Sequence, residues 1–539
     1  MKHTFALIAA IALTSAAALA APEKATPAKS SAESAAAPAS VFTPLAVKST
    51  GTVTVEGHKI AYDAMAGRII VHPKGWDDAT RPKGGNDAIG TADGPPVASM
   101  FYVAYFKQGV DPRTRPVTFL YNGGPGSSTV WLHMGAFGPV RVVTRNDSHT
   151  PPAPYGAVDN TYSLLDASDL VFIDAPGTGF SRIAGKDKEK AFWGVDQDVY
   201  AFASFIKQFL SKYDRWNSPK YLFGESYGTP RSAVLVNELE TDDSIDFNGV
   251  ILLSQVLNFD LNSDGPESNP GVDLPYEVML PTFAATAWYH HKLTSKPADL
   301  DSFLKEVEQF AMGDYAHALD QGANLPEDQY QAIAQKLHDY TGLSVAYIKK
   351  ANLRINGPQF EHQLQNDSDL TTGRLDTRFS GPTMDPLGEE AEYDPQSAAI
   401  SSAYVSVFNG YARRTLHYTT DQEYYPEINP TSWVFKHQPP DAPTALPIAP
   451  NVMPDLAAAM KYNPDLRICL NGGYFDLATP FYQGIYEMHH LDIPQKLESN
   501  IEYHYYQSGH MVYANETSLH QIHDNVAAFI RRTDNQAGE

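Results

Sequence analysis

The stretch Tyr221-Leu222-Phe223-Gly224-Glu225-Ser226-Tyr227-Gly228 decides the fold. A short apolar run leads into the pattern G-x-S-x-G, and helical spacing follows. In such a stretch a tight strand-to-helix turn lifts a serine hydroxyl out of the backbone, and small flanking residues permit the bend. A serine hydroxyl is a poor nucleophile near neutral pH unless a base takes its proton. The stretch therefore predicts a base and an orienting acid downstream of Ser226.

Around it, short apolar strands at 117–121, 170–173, 221–223 and 250–253 alternate with helical spacing, as in Val199, Phe202, Ile206, Phe209 and Leu210. That alternation predicts an α/β fold, a mostly parallel central sheet flanked by helices. Upstream, 52–55, 68–71 and 100–103 read as antiparallel strands between Gly/Pro/Asp clusters. From 260 to 415 the alternation disappears, and 303–318 and 329–340 read as helices. This segment is too long for a connection. It reads as a mostly helical insertion into an α/β core made of 42–259 and 416–539. Strands resume at 467–470 and 501–506, and a last amphipathic helix carries Leu519, Ile522, Val526, Phe529 and Ile530.

Of 539 residues, 43% are hydrophobic and 19% charged, which suits a globular protein. The net charge of −23, from 40 Lys+Arg against 63 Asp+Glu, argues against nucleic acid or an anionic membrane as partner. Lys2 and His3 precede an apolar run that closes on Ala18-Leu19-Ala20. Residues 1–20 thus read as a cleavable signal peptide, too short to span a membrane, and 21–41 as a disordered Ala/Pro/Ser-rich linker. The expectation is a periplasmic or secreted protein with no membrane anchor after cleavage. Cys469, the single cysteine, cannot form an intramolecular disulfide and reads as a buried strand residue.

His510 is the best base, because Gln507-Ser508-Gly509 can swing it over the sheet edge after strand 501–506. His489, His490 and His504 lie within a helical stretch or a strand. Asp476 follows strand 467–470 and gives the order Ser…Asp…His of α/β-hydrolases. Asp465 and Asp492 stay open as alternatives. Asn122-Gly123-Gly124-Pro125-Gly126-Ser127 follows strand 117–121 and can expose backbone N–H groups to an oxyanion, with the Tyr227 N–H as second donor. A phosphate cradle fits less well, since no Lys follows the glycines and Pro125 removes a donor. Asp260-Leu261-Asn262-Ser263-Asp264-Gly265 imitates the start of an EF-hand, but its twelfth position is Gly271, so it reads as an Asx-rich surface turn. No metal and no cofactor is predicted.

Four blocks together resemble the serine carboxypeptidase family: 122–128, 174–181, 224–228 and 509–511. The resemblance implies an α/β-hydrolase with a helical cap that removes single residues from peptides with free C-termini through an acyl-enzyme. It further implies Ser226, Asp476 and His510 as triad, Gly124 and Tyr227 as oxyanion donors, and Asn122 and Glu225 as holders of the terminal carboxylate. A glutamate can face a carboxylate only if one of the two carries a proton. Two positions depart from the family pattern. Ala136 stands where a second glutamate is usual before Gly138-Pro139, and Ser127 stands where cysteine is common. With a single cysteine the chain resembles a bacterial branch. An esterase or acyltransferase on the same triad, and a non-catalytic binding protein on this scaffold, are the alternative readings.

Overall fold

Five-residue runs with every side chain buried, such as Val117–Tyr121 and Gly249–Leu253, belong inside a sheet covered on both faces. The computed structural model describes residues 41–76, 89–430, 432–440, 442–446 and 450–535. The expected signal peptide and all but the last residue of the expected linker lie outside them. A ten-stranded sheet runs through the described chain. Its order is Leu45–Val55, His58–Val71, Val97–Lys107, Asp169–Ile173, Val117–Tyr121, Lys220–Glu225, Gly249–Leu253, Arg467–Gly473 and Ile501–Tyr506, with Arg182–Ala184 pairing Val97–Lys107 off this path. The first three strands and the contact to Asp169–Ile173 are antiparallel. All later pairs along the path are parallel.

The first two strands are longer than their β-rich cores suggest. They form one hairpin around Glu56 and Gly57, both with positive φ (49° and 80°), as a two-residue turn between twisted strands requires. In the parallel half, Leu253 is level with both Glu225 and Asn471. The strands therefore end together, and the loops bearing Asn122, Ser226, Asp476 and His510 all leave from their carboxyl ends. That edge is where open α/β sheets place their ligands.

Helices Val195–Lys212, Gly228–Thr241 and Met453–Tyr462 cover one face through Val199, Phe202, Leu235 and Leu456. Pro395–Arg414 and Glu516–Thr533 cover the other through Tyr404, Phe408, Phe529 and Ile530. A buried ion pair joins two of the helices. Arg231 Nε lies 2.5 Å from Asp198 Oδ2, and the guanidinium sits 4.4 Å over the Phe202 ring. The same arginine donates Nη1 to the Asn122 carbonyl at 2.8 Å, so this pair also anchors the start of the glycine-rich loop.

Between 260 and 415 the chain is largely helical, with one short hairpin, Leu370–Thr372 with Ser380–Pro382. The single helix expected over 303–318 is interrupted. Leu300–Phe310 passes through a π-helical turn, Ala311–Tyr315, into Ala316–Gln321. An α-helix would point residues five apart to different sides, whereas the wider turn returns them to one face. Here it stacks Phe310 and Tyr315, both buried, with ring centroids 6.0 Å apart. This helical segment shares an apolar cluster with Phe475, Leu477 and Phe481, on either side of Asp476.

Past 420 an irregular strap crosses the glycine-rich loop. The Ser128 N–H donates to the Pro426 carbonyl and the Ile428 N–H to the Gly126 carbonyl, each at 2.8 Å. Its far end is held by His437, which bridges Asp196 at 2.7 Å and Asp455 at 2.9 Å. Burial works against the imidazolium, but the hydrogen bonds and charges of the two aspartates push its pKa up to about 9. Among the described residues no helix is long and apolar enough to cross a membrane.

Asp198→Ala strands the Arg231 guanidinium, which cannot shed its charge. We expect a loss of about 3–5 kcal/mol of stability, read from urea unfolding midpoints. A loss under about 1 kcal/mol would show that the pair is dispensable.

Candidate active site

Ser226 has φ 59°, a left-handed conformation that costs a non-glycine residue about 1–3 kcal/mol. Its N–H donates to the Leu253 carbonyl at 2.9 Å, and its own carbonyl accepts from the Thr229 N–H at 2.7 Å. A Cβ on Gly224 would lie 2.1 Å from the Gly228 carbonyl oxygen, so the turn closes only around glycine. The glycine-rich loop presses on the same turn, since a Cβ on Gly123 would lie 2.2 Å from the Tyr227 nitrogen. This contact brings the Gly123-Gly124 backbone against the Tyr227 N–H.

The block 174–181 buttresses that loop. Asp174 is buried and accepts from the Thr129 N–H at 2.8 Å and the Phe180 N–H at 3.3 Å, while burial pushes its pKa up to about 6. Ser127 accepts from Trp131 Nε1 at 2.8 Å.

His510 and Asp476 are brought together, both buried, with Nδ1 2.8 Å from Oδ2. With Nδ1 so engaged, Nε2 is the nitrogen left to exchange a proton in the cavity. Thr479, absent from the sequence-based expectations, donates to Asp476 Oδ2 at 2.7 Å and lends its N–H to Oδ1 at 3.0 Å. An Asp three residues before a Thr is a local capping pattern and was readable in principle. Burial disfavours the imidazolium, but the Asp476 charge and hydrogen bond, joined by Glu225, carry the His510 pKa above its ordinary value. Asp492 instead pairs with Lys461 at the surface, 3.2 Å away. Among the described residues no hydrogen bond closes between the Ser226 hydroxyl and His510, though both line one cavity. Such bonds commonly tighten only when substrate binds.

The helical segment also holds the loops of His510 and Asp476. The His510 N–H donates to the Leu375 carbonyl at 2.6 Å, the Leu477 N–H to the Arg374 carbonyl at 3.1 Å, and the Thr377 N–H to the Phe475 carbonyl at 2.9 Å. The buried Arg378, bound to Asp376, donates to Ser508 at 3.1 Å. Sequence offered no sign of these contacts, because they link loops about 100 to 135 residues apart.

Glu225 is buried beside the elbow, and the Tyr513 hydroxyl donates to it at 2.8 and 3.1 Å. Asn122 bonds it from the other loop. Burial pushes the Glu225 pKa up to about 7, against the pull of His510, Tyr513 and Asn122. Ala136 is fully buried in the turn Leu132–Phe137. The cavity, about 530 Å³, takes in Asn122, Gly124, Glu225, Ser226 and His510. Arg374 also lines it, with its guanidinium gripped by Asp264, which ties the 260–265 turn to the site. Away from the cavity, Cys469, Glu502 and His504 bring donor atoms within 4.8 Å of one another on adjacent strands, with Glu502 already paired to Arg532.

Residues 91–522 match the serine carboxypeptidase family, well over half of the chain. "Serine carboxypeptidase-like 36" of Arabidopsis thaliana is 28% identical over 31% of this chain and 34% of its own length. Carboxypeptidase Y of Komagataella phaffii is 26% identical over 28% of this chain and 26% of its own. The matched region thus spans about a third of these curated relatives or less. The crystal structure of a prohormone-processing carboxypeptidase from Saccharomyces cerevisiae covers 87% of this chain and 91% of its own at a TM-score of 0.50 and 15% identity, a likeness of fold. With the four motif blocks gathered at one sheet edge and the family matched across most of its length, this chain belongs to the serine carboxypeptidase family.

Proposed function

We propose that the protein is an exported serine carboxypeptidase that releases C-terminal residues from peptides with free C-termini through an acyl-enzyme. The observation that carries this reading is the 2.8 Å His510–Asp476 pair, whose histidine lines the same cavity as Ser226. In this reading Ser226 is the nucleophile, and His510 Nε2 takes its proton as the hydroxyl attacks the last peptide carbonyl. Asp476 fixes the tautomer and stabilises the imidazolium. The Gly124 and Tyr227 N–H groups receive the oxyanion of the tetrahedral intermediate. His510 then returns the proton to the leaving amine, and water repeats the sequence on the ester. Asn122 and Glu225 hold the terminal carboxylate. The helical segment 260–415 serves as the cap. Export rests on the signal-peptide pattern of residues 1–20.

Ser226→Ala should abolish turnover while leaving the unfolding transition unchanged; retained activity would sink the assignment. Mass spectrometry of peptides with free and amidated C-termini should show loss of one terminal residue from the free form alone. Equal cleavage of both, or hydrolysis of esters only, favours an esterase. Gly123→Ala should lower turnover about 100-fold or more, the scale of a lost oxyanion donor, and slow labelling by a fluorophosphonate probe. Because His510 must be neutral to accept a proton and its pKa is raised, activity should fall with decreasing pH, starting above the ordinary histidine value.

A further inference from the structure

We infer that Tyr513 is a specificity-determining residue that acts through Glu225, turning the glutamate's carboxyl proton toward the free carboxylate of the peptide. This rests on the carboxypeptidase reading and deepens it. A buried carboxyl can meet a carboxylate only by donating a proton, since two adjacent negative charges disfavour each other. Glu225 meets that condition by burial, which raises its pKa against the pull of His510, Tyr513 and Asn122. Its charged and titratable surroundings are His510 and Asp476 from the acid and base loops, Tyr513 from the turn after His510, and Tyr404 from helix Pro395–Arg414. None of these is a second carboxyl in hydrogen-bonding contact, and the apolar Ala136 adds none.

The Tyr513 hydroxyl, at 2.8 Å from Oε2 and 3.1 Å from Oε1, is a neutral donor. Its own pKa lies well above the ordinary tyrosine value because the ring is buried, so it keeps its proton throughout the working range. The shorter contact is to Oε2, which makes Oε1 the better-placed oxygen to carry the glutamate's proton, and Glu225 lines the cavity. The ring is seated with little play, for a Cβ on Gly135 would lie 2.7 Å from it and 2.5 Å from the Tyr404 hydroxyl. Two carboxyls sharing a proton titrate in two coupled steps. Glu225 shares no proton with a second carboxyl of the chain, and burial lifts its pKa to about 7 against the pull of His510 and Tyr513. Recognition of the free C-terminus should therefore persist to near neutrality and weaken above it.

The test compares Tyr513→Phe with the parent protein on one peptide prepared as free acid, amide and ester, across pH. For the free acid, KM should rise about tenfold, the scale of a lost hydrogen bond to an ionisable group. For the ester, kcat should stay within about twofold. The alkaline limb seen with the free acid should move to higher pH, because the lost hydrogen bond favoured the ionised glutamate. A fall shared by free acid and ester, with the limb unmoved, means that Tyr513 only supports the fold and overturns the inference. Should the variant not fold, a fluorinated tyrosine at 513 keeps the shape while strengthening the donor. It must then move the same limb to lower pH, and an unmoved limb again rejects the proposal. If the parent does not distinguish acid from amide, the carboxypeptidase reading itself fails.

Discussion

The site depends on one backbone constraint, the left-handed conformation of Ser226 at the end of Lys220–Glu225. A side-chain-bearing residue holds that conformation only when its surroundings leave no alternative. Here the surroundings are glycines packed onto neighbouring backbone with no room for a methyl group, Gly224 on Gly228 and Gly123 on Tyr227. The strained turn and the glycine-rich loop thus define each other's position. Arg231, Asp198 and Asp174 brace the pair from behind with buried, hydrogen-bonded charge. Rigidity of this kind lets backbone N–H groups meet a developing charge without reorganising.

Buried carboxyls occupy contrasting settings around that turn. Asp476 has a histidine and a threonine on it, and Asp376 has an arginine. Glu225 has a phenol and an amide and lacks a cation in direct contact. Against the pull of burial toward the neutral form, a cation favours an ionised carboxyl more strongly than neutral donors do. Acids around one turn can therefore differ in what they offer, one facing an imidazole and the other only neutral donors.

Much of this was legible in the sequence because it is written locally. The elbow, the strand-helix alternation, and the loops carrying Asp476 and His510 each lie within a few residues of a strand end, where spacing and turn chemistry suffice. The π-helical turn at Ala311–Tyr315 was not legible, since its cause is the packing of two aromatic rings and no sequence period marks it. Tyr513 escaped for a related reason. It lies three residues past His510, yet its partner Glu225 is 288 positions away, and no local pattern links a tyrosine to a distant glutamate. The strap after 420 was likewise invisible, because its hydrogen bonds are irregular backbone contacts to the loops at 126–128 and 179.

The loop at 374–378 alters what the helical segment is. Its carbonyls receive the N–H groups of His510 and Leu477, and its arginine reaches Ser508. Segments that roof an active site are commonly regarded as interchangeable modules, to be traded between relatives when a new substrate range is wanted. In this protein the helical segment also holds the loops that bear His510 and Asp476. A transplant that omits 374–378 would remove the backbone partners of His510 and Leu477 together with the rest of the segment. The boundary for any engineered exchange therefore runs inside the helical segment, on either side of that loop.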